Sequence, residues 1–172
     1  MSEYRPIIMR SNRLLGAALV EKNLITVDQL NDATERFLQI LETATIRESS
    51  LLSVLINETK ALTEESLLDF MVEDQSLAPL DLREIDPQED VKLRLDPGVC
   101  WATWSVPFDR DEDVHYVASA YCLSAAVRQY WEKTLGQPII WFATTVGNVS
   151  DFLEKLEAER AAHGNPVTVG VA

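Results

Sequence analysis

Apolar residues recur at helical spacing in two successive stretches of the first half of the chain. The apolar run at residues 14–20 predicts a short helix. A longer helix is predicted to begin after Thr26, because Thr26 and Gln29 have the spacing of a capping box, in which each side chain bonds the backbone amide of the other residue. The apolar stripe of this longer helix consists of Leu30, Ala33, Phe37 and Leu41.

The same order of elements returns in a weaker form from residue 51. Residues 51–56 predict a second short helix, and Thr63 is placed to cap a longer one. Glu64 and Glu65 would then lie in the first turn, where the helix dipole favours negative charge. Each copy is too small to bury its own apolar face. The two copies therefore predict a four-helix pseudo-repeat that packs against itself.

The second half has the pattern of strands around one helix. The charged run at residues 109–113 predicts the solvent-exposed turn of a hairpin, and residues 114–120 predict its second strand. Ser124 and Gly136 fit the N-cap and the left-handed C-cap of a helix. The apolar run at residues 139–143 predicts the strand that follows this helix.

Two less regular stretches complete the predicted elements. Residues 99–104 predict a further strand after the break at residues 96–98, and Asn148 or Ser150 is expected to cap a last helix. The sequence therefore predicts an α+β fold. An N-terminal four-helix pseudo-repeat is followed by a small β-sheet with packed helices, in the order β-β-α-β-α.

These elements predict a layout in four parts. Residues 1–12 have no periodicity and are expected to form a flexible basic arm. Residues 13–76 form the helical pseudo-repeat subdomain, and residues 77–162 form an α/β sandwich-like subdomain. Residues 163–172 are expected to be a frayed tail.

The composition places the chain among folded proteins of the cytoplasm. Hydrophobic residues make up 47% and charged residues 25% of the 172 residues. No apolar run approaches the ~18 residues that span a bilayer, and the first residues lack the apolar core of a secretory signal. Cys100 and Cys122 lack the spacing of zinc ligands, so we expect two reduced thiols and neither a disulfide nor a bound metal.

The charge of the chain restricts its partners. A formal net charge of −13 argues against general nucleic-acid binding, which requires lysine and arginine to neutralise phosphates. Basic residues nevertheless outnumber acidic ones near the N-terminus, where Arg5, Arg10, Arg13 and Lys22 lie. Either these cations are simply solvated, or they contact an acidic partner surface or membrane headgroups, and the protein is peripheral to a membrane at most.

The order of these elements and particular residues within them resemble the N-terminal domain of the type II secretion and type IV pilus assembly ATPases. The resemblance covers roughly residues 14–156. It depends on the pattern Leu-Gly-x-x-Leu-Val-x-x-x-x-Ile-Thr-x-x-Gln-Leu at residues 15–30 and on its weaker copy at residues 51–67. In the second half it depends on Val106-Pro107, Val117-Ala118 and Leu135-Gly136.

The resemblance implies a non-enzymatic docking or regulatory module of a secretion or pilus-type system. Its partner would be a secretion or pilus ATPase, or the inner-membrane platform protein to which that motor is joined. The motor itself needs a loop of the form Gly-x-x-x-x-Gly-Lys-Ser/Thr, and none of the six glycines here precedes a lysine. We therefore expect no ATPase activity, no other enzymatic activity and no cofactor. The histidines, His115 and His163, lie near no nucleophile pattern, and a structural role is expected for His115.

The alternative function is that of a receptor for the second messenger cyclic di-GMP, which a subset of similar domains binds. Their pattern resembles Arg-Leu-Gly-x-x-Leu, ten residues, then Leu-x-x-x-Leu-x-x-Gln, written twice. This chain has Leu14 at the first arginine position, with Arg13 one residue early, and Phe37 at the glutamine position. In the second copy Asp74 takes the glutamine position, with Gln75 one residue beyond. The candidate nucleotide-binding residues are Arg13, Leu15, Gly16, Leu19, Leu30, Leu51, Leu55 and Gln75.

One position in the second half departs from the family. Many members have an Ala-x-x-Asp-Pro turn after the strand that ends here at Ala120, whereas this chain has Tyr121 and Cys122. The resemblance therefore does not fix the position of the following helix.

Overall fold

A computed structural model of the chain describes residues 3–164. The predicted pseudo-repeat is present in its first half. Its first copy pairs α1 with α2, and in its second copy a short α3 continues into a π-helical turn before α4. The bounds are Arg5–Glu21 for α1, Val27–Thr43 for α2, Leu51–Ser53 for α3, Val54–Glu58 for the π-helical turn and Glu64–Glu73 for α4.

The two longer helices of the pseudo-repeat, α2 and α4, begin directly after their predicted N-cap residues. The Thr26 hydroxyl accepts a hydrogen bond from the Gln29 amide at 3.1 Å, and Gln29 Oε1 accepts from the Thr26 amide at 2.9 Å. Thr63 caps α4 in the same way, because its hydroxyl accepts from the Ser66 amide at 3.0 Å. Both predicted caps are confirmed, since each satisfies backbone donors that the first helical turn leaves free.

The predicted flexible arm is wrong for residues 5–12, which form the first half of α1. Pro6 lies in the first turn, where the missing amide of proline costs nothing. Ile8, Ser11 and Asn12 are buried. The hydrophobicity pattern does not show this helix, because two positions on its buried face are the polar residues Ser11 and Asn12. Both side chains donate hydrogen bonds to the Ile8 carbonyl, at 3.2 and 2.8 Å.

Within residues 3–164 the strands form one four-stranded mixed sheet in the order β1-β4-β3-β2. The hairpin β2–β3 is antiparallel, and β4 is parallel to both β3 and β1. Helix α7 provides the crossover from β3 to β4, as the sequence predicts. The bounds are Ala78–Pro79 for β1, Ser105–Asp111 for β2, Val114–Ser119 for β3, Ala125–Leu135 for α7 and Ile139–Ala143 for β4.

The remaining helices are α5 at Glu89–Arg94, α6 at Pro97–Thr103 and α8 at Val146–Ala162. The strand predicted at residues 99–104 is therefore wrong, and α6 takes its place. Asp96 caps α6, because its carboxylate accepts from the Gly98 amide at 2.9 Å, and Pro97 occupies the first turn. The predicted caps of the last helix are also wrong, since the Thr145 hydroxyl accepts from the Asn148 amide at 3.1 Å.

One hydrophobic core joins the two halves of the chain. Trp101 on α6 and Leu15 on α1 are fully buried in it, and α1 packs against both α6 and α7. The division into subdomains at residue 77 stays a prediction. The predicted tail falls mostly on residues 165–172, which lie outside the described residues, as do residues 1–2. In the described part of the chain, no helix combines the length and apolar character that a membrane span requires.

Candidate interaction groove

A groove of about 440 Å³ opens between α1 and α2, and its base reaches the start of α3. We call it the α1–α2 groove. It is lined by Pro6, Met9, Arg10, Asn12, Arg13, Leu30, Thr34, Phe37, Leu38 and Leu51.

The base of the groove is buried and its walls are exposed. Phe37 and Leu51 form the apolar part of the base, beside the polar side chain of Asn12, and all three are almost completely inaccessible to solvent. On the walls, Met9 is 36% exposed and Leu38 is 42% exposed, and the two lie beside the apolar base in one groove. The groove therefore presents apolar surface to solvent above a firmly packed base.

The charged residues of the groove are cations. Arg10 and Arg13 belong to its lining, and no acidic residue is among the lining residues in the described part of the chain. Arg10 is oriented by a hydrogen bond from Nη2 to Gln129 Oε1 of α7, at 3.1 Å. Arg13 is exposed. The lining of the groove is therefore positively charged, although the chain as a whole has a formal net charge of −13.

The structure brings together three of the candidate nucleotide-binding residues, since Arg13, Leu30 and Leu51 all line this groove. Gly16 lies beneath it. A Cβ atom at Gly16 would lie 2.6 Å from Leu30 Cδ1 and 3.2 Å from Leu51 Cδ2, so the glycine allows both leucines to pack directly on α1. The role of Gly16 in this arrangement is close packing of the helices.

The other candidates lie elsewhere. Leu15, Leu19 and Leu55 are fully buried core residues. Gln75 follows the C-terminus of α4 and does not line the groove. The sequence prediction missed Met9 and Leu38, because residues 1–12 were assigned to an arm and only the Phe37 side of α2 was assigned to the stripe. The period of α1, extended backwards through residues 5–13, would have found Met9 one turn before Arg13.

A buried hydrogen-bond network ties the base of the groove to the second half of the chain. The Tyr121 hydroxyl donates to Asn12 Oδ1 at 2.7 Å and shares a 2.7 Å hydrogen bond with the Ser50 hydroxyl. Asn12 Oδ1 also accepts from the Leu51 amide at 2.9 Å. Tyr121 is fully buried. It therefore connects α1, α3 and the end of the sheet.

A second buried polar cluster lies between α8 and the start of α3. Glu157 is 4% exposed and accepts a hydrogen bond from Trp101 Nε1 at 2.9 Å. It also forms an ion pair with Arg47, whose guanidinium lies over the Trp101 ring, 5.6 Å from the centroid. This cluster holds together α6, α8 and the turn before α3.

The described residues offer little reactive chemistry. Within residues 3–164, no group of three or more His, Cys, Asp or Glu side chains is placed to hold a metal ion. His115 is half-buried in β3, and His163 is exposed beyond the end of α8. Cys100 and Cys122 are free and buried.

Both thiols are expected to resist modification in the folded protein. Burial raises the pKa of Cys122 to about 11 and raises the pKa of Cys100 as well, so very little of the reactive thiolate forms near pH 8. We expect negligible reaction with Ellman's reagent at pH 8 in buffer and reaction of both thiols in guanidinium chloride. Rapid reaction of either thiol in the folded protein would contradict this placement.

Comparison with known proteins shows a likeness in structure. No protein-family model matches the sequence, and no curated protein matches it. A structure of the N-terminal domain of XpsE superimposes with a TM-score of 0.54 at 14% sequence identity, covering 84% of this chain and 94% of that one. A second crystal form of this XpsE domain gives 0.53 at 17% identity, covering 80% and 90%.

The chain has the fold of the XpsE N-terminal domain. A structure of MshE with cdg, cyclic di-GMP, shares this XpsE-type fold, with a TM-score of 0.52 at 20% identity over 83% of this chain and 97% of that one. XpsE and MshE are type II secretion and pilus ATPases, so the resemblance predicted from the sequence is confirmed at the level of the fold. At these identities the comparison shows the fold alone.

Proposed function

We propose that this protein is a non-enzymatic interaction module of a secretion or pilus-type system, and that it acts in the cytoplasm. The observation that carries the proposal is the α1–α2 groove, which exposes Met9 and Leu38 beside Arg10 and Arg13 on an XpsE-type fold. Exposed apolar side chains bordered by arginines are typical of a protein-binding surface. The partner is the secretion or pilus ATPase, or the cytoplasmic part of the inner-membrane platform protein.

The chemistry of the described residues supports a binding role over an enzymatic one. Both thiols are buried, and burial keeps them protonated. The buried polar groups of Tyr121 and Glu157 are already engaged by neighbouring side chains. These contacts stabilise the fold, and no group among them reaches the groove as a free acid, base or nucleophile.

Co-purification tests the proposed function. We expect the tagged protein to retain either the ATPase or the cytoplasmic domain of the platform protein from the same organism when they are co-expressed. Leu38→Asp should abolish retention, because it places a charge in the apolar wall of the groove. Leu93→Asp is the matched control, since Leu93 is 65% exposed on α5, away from the groove. Absence of both partners from the wild-type complex would overturn the proposal.

Cyclic di-GMP binding is the second candidate function. The observation that favours it is that Arg13, Leu30 and Leu51, all candidates from the family pattern, line one groove. The opposing observation is the base of that groove, where Phe37 takes the glutamine position of the pattern and is 3% exposed. A phenyl ring cannot supply the side-chain amide that a guanine or phosphate would bond.

Isothermal titration separates the two candidates. We expect no binding heat with micromolar cyclic di-GMP, because each missing charge-assisted contact removes about 1.5–3 kcal/mol. Micromolar binding that disappears in Arg13→Ala, but persists in the control Lys133→Ala on α7, would establish the second candidate in place of this expectation.

A further inference from the structure

We propose that the occupant of the α1–α2 groove is a single amphipathic helix that carries acidic residues beside its apolar stripe. This inference rests on the proposed function and specifies the chemistry of the partner. It is carried by the shape of the groove, by its apolar base and by the sign of its charge.

The shape of the groove matches a helix. Its walls consist of residues one turn apart on α1, Met9 and Arg13, and on α2, Leu30, Thr34 and Leu38. Side chains four residues apart form the ridges between which a neighbouring helix packs. The α2 wall extends over about two turns, roughly 12 Å, so two to three turns of a partner helix would fill it. The lining consists of helical side chains and offers no sheet edge to which a strand could add.

The base of the groove selects apolar side chains. Phe37 and Leu51 close the groove from below, while Met9 and Leu38 remain exposed at its walls. An entering leucine, isoleucine or phenylalanine would remove these apolar surfaces from water, which is the main driving force for association. The apolar residues of the occupant must then follow the spacing i, i+3, i+4 and i+7.

The walls of the groove select acidic flanks. Arg10 and Arg13 are the charged residues of the lining, and no carboxylate opposes them among the described lining residues. Arg10 is already oriented by Gln129, so less conformational freedom is lost when its guanidinium meets a carboxylate. The chain as a whole has a formal net charge of −13, so its other surfaces repel an acidic segment. The arginines of the groove attract it, and the segment is directed there.

Selection from a displayed library tests this inference without a known partner. The library encodes helices of about 18 residues with an apolar stripe and with flanking positions varied among Glu, Lys and Ser. It is selected on the immobilised full-length protein. We expect recovered helices to be enriched in Glu at the flanks, and fluorescence anisotropy should give at least about tenfold weaker binding to Leu38→Asp and to Arg13→Glu. The matched controls Leu93→Asp and Lys133→Glu lie on α5 and α7 and should bind like the wild type.

Several outcomes would overturn the inference. Failure to recover any helix, enrichment in Lys, or equal binding to Leu38→Asp and the wild type would each do so. These failures are distinguishable from failure of the proposed function. If co-purification with the ATPase or platform protein survives in Leu38→Asp, the interaction role stands and the groove is the wrong surface. If acidic helices bind the groove but neither protein co-purifies, the inference is supported, and the ATPase and platform protein are the wrong partners.

Discussion

Arg47→Ala is expected to lower the free energy of unfolding by about 3 kcal/mol, because it leaves the Glu157 carboxylate buried without its cation. The Glu157 side chain is 5% exposed and that of Arg47 is 41% exposed, so water entering the space left by Arg47 replaces only part of the lost interaction. The remaining hydrogen bond from Trp101 is insufficient to solvate a full charge. Urea unfolding followed by circular dichroism at pH 7 measures the loss.

The chain offers a matched control for this variant. Arg36 pairs with Glu58 at 2.6 Å, but the two side chains are 49% and 41% exposed. Arg36→Ala should therefore cost less than about 1 kcal/mol. Adding Glu157→Gln to Arg47→Ala should recover part of the lost stability, because the neutral amide has a smaller desolvation cost. Equal effects of Arg47→Ala and Arg36→Ala would mean that the Glu157 cluster is open to water.

Tyr121→Ala is expected to cost about 3–5 kcal/mol, the range for removing a large buried aromatic side chain. Tyr121 is fully buried, and its hydroxyl bonds Asn12 and Ser50 on two different elements of the helical half. Tyr121→Phe keeps the ring and removes only the hydroxyl, so it should cost about 1–3 kcal/mol. The same denaturant titrations measure both variants.

A double-mutant cycle shows whether this network couples the two halves. Tyr121→Phe and Asn12→Ala should be non-additive, because both remove the same 2.7 Å hydrogen bond. Tyr116→Phe is the control, since Tyr116 is half-buried in β3, and it should change stability less than Tyr121→Phe does. If the stability losses of the variants at positions 12 and 121 are additive, the hydrogen bond between the two side chains contributes little to joining the halves.

Local rules in the sequence predicted the parts of the fold that depend on neighbouring residues. The capping box at Thr26 and Gln29 and the left-handed Gly136 at the end of α7 involve residues close in sequence, and both are confirmed. The hairpin was predictable because charge marks its solvent-exposed end, but the turn predicted at residues 109–113 is wrong for residues 109–111, which belong to β2 and leave only Glu112 and Asp113 in the turn.

The elements that sequence analysis missed depend on distant contacts. Helix α6 contains Val99, Trp101 and Thr103, which suit a strand, yet Trp101 is completely buried among other helices there, and tertiary packing overrides local preference. Its last residue is followed by Trp104 with a φ of 49°, a conformation that an aromatic residue adopts only when the surroundings fix it. The start of α1 was missed because its buried face includes Ser11 and Asn12, whose partners cannot be known from sequence.

The candidate groove was predictable only in part. The family pattern identified Arg13, Leu30 and Leu51 but also included core residues such as Leu15, because sequence spacing does not reveal which side of a buried helix faces solvent. The departure at Tyr121 left the position of α7 undetermined, although Ser124 was predicted as its N-cap. Ser124 has the N-cap position of α7, but its hydroxyl makes no capping bond and instead donates to the Ser11 carbonyl at 2.8 Å, which fixes the helix against α1.

Site-specific photo-crosslinking in cells tests the central claim most directly. A benzophenone amino acid replaces Leu38 in the groove and, in a separate control protein, the exposed Leu93 on α5. The account predicts that position 38 crosslinks to the secretion or pilus ATPase or to the platform protein, that position 93 does not, and that Arg13→Glu removes the product. No product from position 38, or equal products from both positions, would contradict it.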